Sequence, residues 1–219
     1  MNTPPNTPPS APERAPSHGP SHAPPPERTV RLVLVAPAMS AAQREARFDD
    51  GSAVEPVRAD PVCLGRSARV LTSPSPRCRG TAELLGLTGA EEVAALAGCA
   101  MGRWRGRSLD ELAAEEAESV AAWLSDPDAA PHGGESLRAL RARVADWLGA
   151  LESGRVWAVV EPDVIRAAVA HAVGAPEAAF WRLDVRPLSS VELTGRAGRW
   201  NVGLGSVLSR GTGPTEPVS

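Results

Sequence analysis

Val30-Arg31-Leu32-Val33-Leu34-Val35-Ala36-Pro37-Ala38-Met39-Ser40 is the stretch whose reading decides the fold. Its first six residues are β-branched or leucine, interrupted only by Arg31. Such a run reads as a strand buried on both faces, as in parallel sheets. Pro37 ends it, because proline fixes φ and offers no N–H to a neighbouring strand. Ser40 then stands where an N-cap belongs, ahead of a helical segment Ala41–Arg47. A strand that passes through a short loop into a helix is where α/β proteins put their chemistry. This loop holds no chemical group. Ala36, Pro37 and Ala38 have no side chain that donates a proton, attacks a substrate or holds a metal.

Outward from that stretch, strands and helices alternate. Val70-Leu71-Thr72 reads as a second strand, and Ser73-Pro74-Ser75-Pro76 opens a helix over Arg77–Gly86. Glu91–Leu96 fits a strand or a helix equally. Gly102–Gly106 is a turn anchored by Trp104. Ser108 and Glu111 form a capping box for a helix over 109–124. Gly133-Gly134-Glu135-Ser136 opens a long helix to about Leu151. Leu137, Leu140, Val144, Trp147, Leu148 and Leu151 recur there at helical spacing, which puts Arg138 and Arg141 on a solvated face. Val156–Val160 is another buried strand, turned by Glu161-Pro162-Asp163 into a helix over 164–173 that Gly174 ends. Val191–Thr194 and Trp200–Leu204 read as two antiparallel strands around Gly195–Gly198. The alternation predicts an α/β protein, a three-layer α/β/α sandwich with a mostly parallel sheet.

Composition bounds the rest. Residues 1–28 hold ten prolines and few apolar residues, so they read as a disordered, partly polyproline-II tail. Residues 208–219 read as a flexible polar tail, which leaves one domain over 29–207. The net charge of −3 gives no support for a nucleic-acid or membrane partner. Cys63, Cys78 and Cys99 are odd in number and form no CxxC, which reads as reduced thiols in a cytoplasmic protein with no zinc site. No apolar run reaches the length of a membrane span. Few aromatic residues are present, so the six tryptophans serve as large anchors.

Four stretches, in order along the chain, resemble the histidine phosphatase (phosphoglycerate-mutase-like) superfamily. Leu32–Ser40 lies where that family has a strand followed by Arg-His-Gly. Thr72–Ala82 resembles its Ser-Pro…Arg…Thr-Ala helix start. Gly102-x-Trp104-x-Gly106 and Gly133-Gly134-Glu135-Ser136 resemble its paired loop motifs. Val159–Ala167 resembles its second histidine strand and helix, and Phe180–Asp184 with Trp200 continue the match. The resemblance implies that family's fold. It implies a phosphoryl site of two histidines, two arginines and a carboxylic acid, and no cofactor. Carried over residue by residue, the first arginine falls on Ala36, the nucleophilic histidine on Pro37 and the motif glycine on Ala38. The second histidine falls on Glu161 and the acid on Gly98. Arg77 alone matches. The segment between Gly65 and the second strand is also too short for the helix usual there.

The physical chemistry agrees with this loss. Phosphoryl transfer to the protein needs an acceptor lone pair, and Pro37 has none. Carboxylates at Glu161 and Asp163, before a helix, repel a phosphate dianion where backbone N–H groups otherwise attract one. The resulting expectation is a pseudo-phosphatase with a binding or regulatory role. Its anion-binding candidates are Arg77, Glu161 and Glu135, and its partner is a small anionic ligand or a protein. The alternative is an active phosphomonoester hydrolase that uses Glu161 or Cys63 in place of the histidine. Two readings of Arg77 stand: an anion ligand, or a structural salt bridge to Glu161. Glu161 reads as a helix cap, or as part of a cation-binding cluster with Asp163 and Glu135. Glu135 reads as a loop brace, His132 as an exposed loop residue and His171 as a packing residue in a helix. Cys63–Arg69 fits Cys-x5-Arg, the cysteine-phosphatase loop, but a strand follows it where that loop needs a helix. The expected binding pocket is apolar and lined by Ala36, Pro37, Met39 and Arg77.

Overall fold

A computed structural model describes residues 29–64 and 67–204. The tails predicted at 1–28 and 208–219 lie outside these residues. Six strands form one sheet: β1 (Thr29–Val35), β2 (Ala68–Thr72), β3 (Glu91–Glu92), β4 (Gly154–Val159), β5 (Ser190–Arg196) and β6 (Arg199–Gly203). Their order is β3-β2-β4-β1-β5-β6. The first four run parallel, while β5 is antiparallel to β1 and to β6. β1 is therefore central, with Val35 beside Val159 on one side and Ser190 on the other.

The helices are α1 (Ala41–Arg44), α2 (Pro76–Leu84), α3 (Leu109–Glu115), α4 (Ala117–Ser125), α5 (Leu137–Gly149) and α6 (Pro162–Ala172). Serine side chains cap four of them: Ser40, Ser75, Ser108 and Ser136 accept bonds from the N–H groups three residues on. The capping box of Ser108 and Glu111 forms as the spacing predicts. α1 is one turn shorter than expected. Ala46, at φ 52°, ends it, and the Arg47 N–H reaches back to the Ala42 carbonyl at 2.8 Å.

The main core lies between the sheet and α5 with α6. Leu32, Leu34, Val156, Ala158 and Leu193 meet Leu140, Val144, Val164 and Ala168 there. On the other face, Val35 and Val159 pack against Cys78 and Ala82 of α2. β1 is thus buried on both faces only near its end. Arg31 is exposed beside the equally exposed Arg155, because α2 covers only the end of the sheet near Val35 and Val159. A third, smaller core holds Trp104, Leu112 and Val120, flanked by Phe48, Met101 and Trp123.

Three further expectations are corrected, and one open reading is resolved. The helix over 109–124 is two helices, broken where Glu116 leaves helical dihedrals and takes bonds from Trp104 Nε1, Arg103 and Arg107. Glu91–Leu96 is a two-residue strand followed by a 3-10 turn, so both readings of it hold in part. Arg141 is not solvated: it is ion-paired with Glu177, and its Nη2 donates to the Ala175 carbonyl at 2.9 Å. The final hairpin turns at Ala197 and Gly198, both at positive φ, so β5 continues through Gly195. A side chain at 195 would enter the ring of Trp200, whose six-membered part lies 2.7 Å from the Cβ position.

Candidate functional site

The strand-to-helix loop after β1 is sealed. Ala36, Pro37 and Ala38 are all buried. The Ala36 N–H donates to the Ser189 carbonyl at 2.9 Å, and the Ala38 N–H to Thr81 Oγ1 at 2.9 Å. None of the three lines the cleft beside the loop. Met39 is exposed and also stands apart from it. This corrects the expected pocket lining, of which only Arg77 holds. Proline and alanine leave no polar end to reach solvent, so the loop packs inward.

A cleft of about 790 Å³ opens beside this loop, between the starts of α1, α2 and α6. Its floor is an ion pair. Arg77, at the second position of α2, is 6% exposed, and its guanidinium meets the Glu161 carboxylate, also 6% exposed. Its Nη1 donates to Gln43 Oε1 at 2.6 Å, and the Ser75 hydroxyl donates to Glu161 Oε1 at 2.7 Å. Of the two readings of Arg77, the structural salt bridge is the one formed. Glu161 stands at the N-cap position of α6 but makes no capping bond. Its carboxylate is drawn across to α2 instead, which corrects the capping expectation.

Gly98 lies against this pair. A Cβ there would stand 3.0 Å from Glu161 Cγ and 3.5 Å from Asp163 Oδ2. Asp163 accepts the Cys99 N–H and its neighbour's, the Val164 N–H. Burial pushes its carboxyl up to about 6; the Cys99 N–H opposes that shift and the Glu161 charge adds to it. Burial likewise pushes the Cys99 thiol up to about 12, and raises that of Cys78, beside Glu161, further. Neither is a thiolate nucleophile at neutral pH.

The remaining candidates separate. Glu135 receives two bonds from Arg143, at 2.9 and 2.6 Å, and Arg143 also binds the Ala95 and Ala97 carbonyls. Glu135 is thus the loop brace expected of it. The cation cluster of Glu161, Asp163 and Glu135 does not form, and among the described residues no group of three such ligands does. His132 is buried, not exposed. It tilts against Trp104 with centroids 5.1 Å apart, and its Nδ1 accepts the Gly134 N–H. His171 is exposed rather than packed. Cys63 is exposed and does not line the cleft, and Arg69 faces Glu91 from β2; residues 65 and 66 of that Cys-x5-Arg pattern lie outside the described residues.

The cleft wall was not read from the sequence. Phe48, Trp123, Trp181 and Phe180 line it as one run of edge-on contacts, with centroids 5.6, 4.7 and 5.0 Å apart. The six tryptophans read as anchors, but nothing in the sequence joined Trp123 and Trp181 to Phe48 and Phe180.

The profile of the histidine phosphatase superfamily (branch 1) matches residues 65–205. The chain belongs to the histidine phosphatase superfamily. The fold agrees with solved structures of this histidine phosphatase type. The alpha-ribazole phosphatase from Shigella flexneri superposes with a TM-score of 0.65 at 20% identity, covering 80% of this chain and 95% of its own. A mycobacterial glucosyl-3-phosphoglycerate phosphatase gives 0.65 at 22% identity, covering 80% and 97%. A structure described as mycobacterial hydrolase 1 gives 0.65 at 22%, covering 81% and 98%. At such identities the likeness is one of fold. No curated protein sequence matches the chain significantly. No helix among the described residues is long and apolar enough to cross a membrane.

Proposed function

We propose that this protein is a pseudo-phosphatase, a histidine phosphatase that holds a ligand in its cleft without hydrolysing phosphate by the family route. The observation that carries this reading is the buried ion pair of Arg77 and Glu161. The one surviving arginine is neutralised by a carboxylate standing in the second-histidine position. A phosphoryl group entering there meets no free cation from Arg77 and faces two carboxylates, Glu161 and Asp163. Transition-state charge on a phosphoryl is stabilised by pre-placed positive groups. The buried Pro37 supplies no acceptor lone pair and no N–H. Three unpaired thiols support a reducing, cytoplasmic setting.

The test is release of phosphate from 4-nitrophenyl phosphate between about pH 4 and 9, a span that covers carboxylate and imidazole titration. Wild type is compared with Arg77→Ala, Glu161→Gln and Cys63→Ser. No turnover above buffer in wild type is expected. Turnover that disappears in Arg77→Ala or Glu161→Gln would mean that the cleft still works as a hydrolase. Turnover that disappears only in Cys63→Ser would move the chemistry to that thiol.

A further inference from the structure

We infer that the cleft takes an uncharged, flat-ringed organic ligand in preference to a phosphorylated one. This deepens the proposed binding role and rests on it. Two independent observations point the same way.

The first is the charge around the cleft. Four guanidiniums line it, and each is already engaged by the protein. Arg47 binds Glu111, Glu45 and the Gly106 carbonyl. Arg77 binds Glu161 and Gln43. Arg105 lies over the turn at 49–51, donating to the Asp49 carbonyl. Arg166 donates to the Leu183 carbonyl, with its guanidinium carbon 5.9 Å from the Phe180 centroid. The floor itself sets one arginine against two carboxylates, Glu161 and Asp163. At the floor a phosphate dianion must break the Arg77–Glu161 pair to find a cation, and it leaves a buried carboxylate unpaired when it does; Arg105 and Arg166 are held by backbone carbonyls through their Nε atoms. An uncharged ligand meets no such obstacle.

The second is the wall. Trp181 is 36% exposed although it touches two other aromatic rings, and it faces the cleft together with Phe48, Trp123 and Phe180. A continuous aromatic wall in a concave site favours a flat apolar body, through area removed from water and ring–ring contact. Gln43 also lines the cleft, and its amide nitrogen, beside the oxygen that takes Arg77, suits a hydroxyl or carbonyl on the same ligand.

The experiment is a calorimetric titration with a matched pair of probes, 1-naphthol and 1-naphthyl phosphate, which share a ring and differ by the phosphoryl group. Wild type is expected to bind the naphthol at least tenfold more tightly. Trp181→Ala, a change at a part-exposed position, is expected to weaken naphthol binding at least fivefold while the melting temperature holds. Glu161→Gln is expected to shift the preference toward the phosphate at least tenfold. Tighter binding of the phosphate by wild type overturns the inference, as does binding of neither probe, or naphthol binding that ignores Trp181→Ala. If Glu161→Gln does not fold, the wild-type ranking and Trp181→Ala decide alone. Release of phosphate from 1-naphthyl phosphate, followed in parallel, would sink the non-hydrolytic reading. The ranking of the two probes sinks or sustains the ligand class.

Discussion

Gly98 and Glu161 occupy each other's space: a side chain on one would stand 3.0 Å from the side chain of the other. By the family resemblance these are the positions of the acid and of the second histidine. The carboxylate of Glu161 has thus taken room that a side chain at 98 would need. A side chain restored at 98 while Glu161 remains is opposed by this contact. Gly98→Ala is expected to destabilise the protein by about 1 kcal/mol, the lower end of overpacking costs. In a Glu161→Ser background the cost is expected to vanish. A double-mutant cycle by urea unfolding measures the difference, and additivity within about 0.3 kcal/mol would show that the two sites are independent.

Arg77 and Glu161 are expected to be worth more broken than together. Arg77→Met alone leaves a buried carboxylate without its charge partner and is expected to cost about 3–5 kcal/mol. The double change Arg77→Met, Glu161→Leu removes both charges and is expected to recover most of that loss. Unfolding midpoints in urea read both. A double variant no more stable than the single one would show that packing, not charge, sets the cost.

Two buried groups give the stability curve opposing slopes. His132 is held neutral by burial, with Arg103 adding to the effect, and it faces Trp104 and the Gly134 N–H. Its unfolded form takes up a proton near pH 6.5, so stability from this group falls as pH drops below that value. Asp163, raised to about 6, works the other way: its contribution is present below its unfolded value near 4 and is lost as pH rises through about 6. Asp163→Asn keeps an acceptor for the Cys99 N–H. It is expected to raise the melting temperature at pH 8 and to leave it unchanged at pH 4. His132→Asn is expected to flatten the fall between pH 7 and 5. Parallel curves for wild type and either variant would remove that group from the account.

Trp104 is fully buried at the centre of the third core, in contact with Phe48, Trp123 and His132. Trp104→Ala is expected to cost about 3–5 kcal/mol, as for large aromatic truncations in a core. Because Phe48 and Trp123 also wall the cleft, the loss is expected to reach it. Naphthol affinity measured on the folded fraction of this variant should fall with stability.

The fold was legible where local chemistry is decisive. The end of the run at Pro37, the Ser40 cap and the capping box of Ser108 and Glu111 each act within a few residues and formed as read, whereas burial of β1 on both faces and the length of α1 did not. Resemblance then located Arg77, Glu161 and Gly98 as one site. What lay beyond reach depends on contacts between distant residues. Nothing near Glu116 says that Trp104 and two arginines will break a helix there. Nothing near His132 says that Trp104 will cover it. The same holds for Arg141, whose partner Glu177 lies beyond β4, and for Arg143, whose grip on Glu135 braces the loop. The aromatic wall joins four rings from three separate stretches, a property of the folded surface and not of any local pattern.

The central place of β1 also has a meaning for the time at which this protein is made. β1 leaves the ribosome first among the strands, yet its neighbours β4 and β5 come late in the chain. At roughly 5–20 residues per second, β1 waits about 6–25 s for Val159, the end of β4, to emerge. Throughout that interval Leu32, Leu34 and Val35 have no sheet to join. The nascent chain therefore carries this apolar segment uncovered until β4 is made, and its yield in a cell should follow the supply of chaperones that shield it.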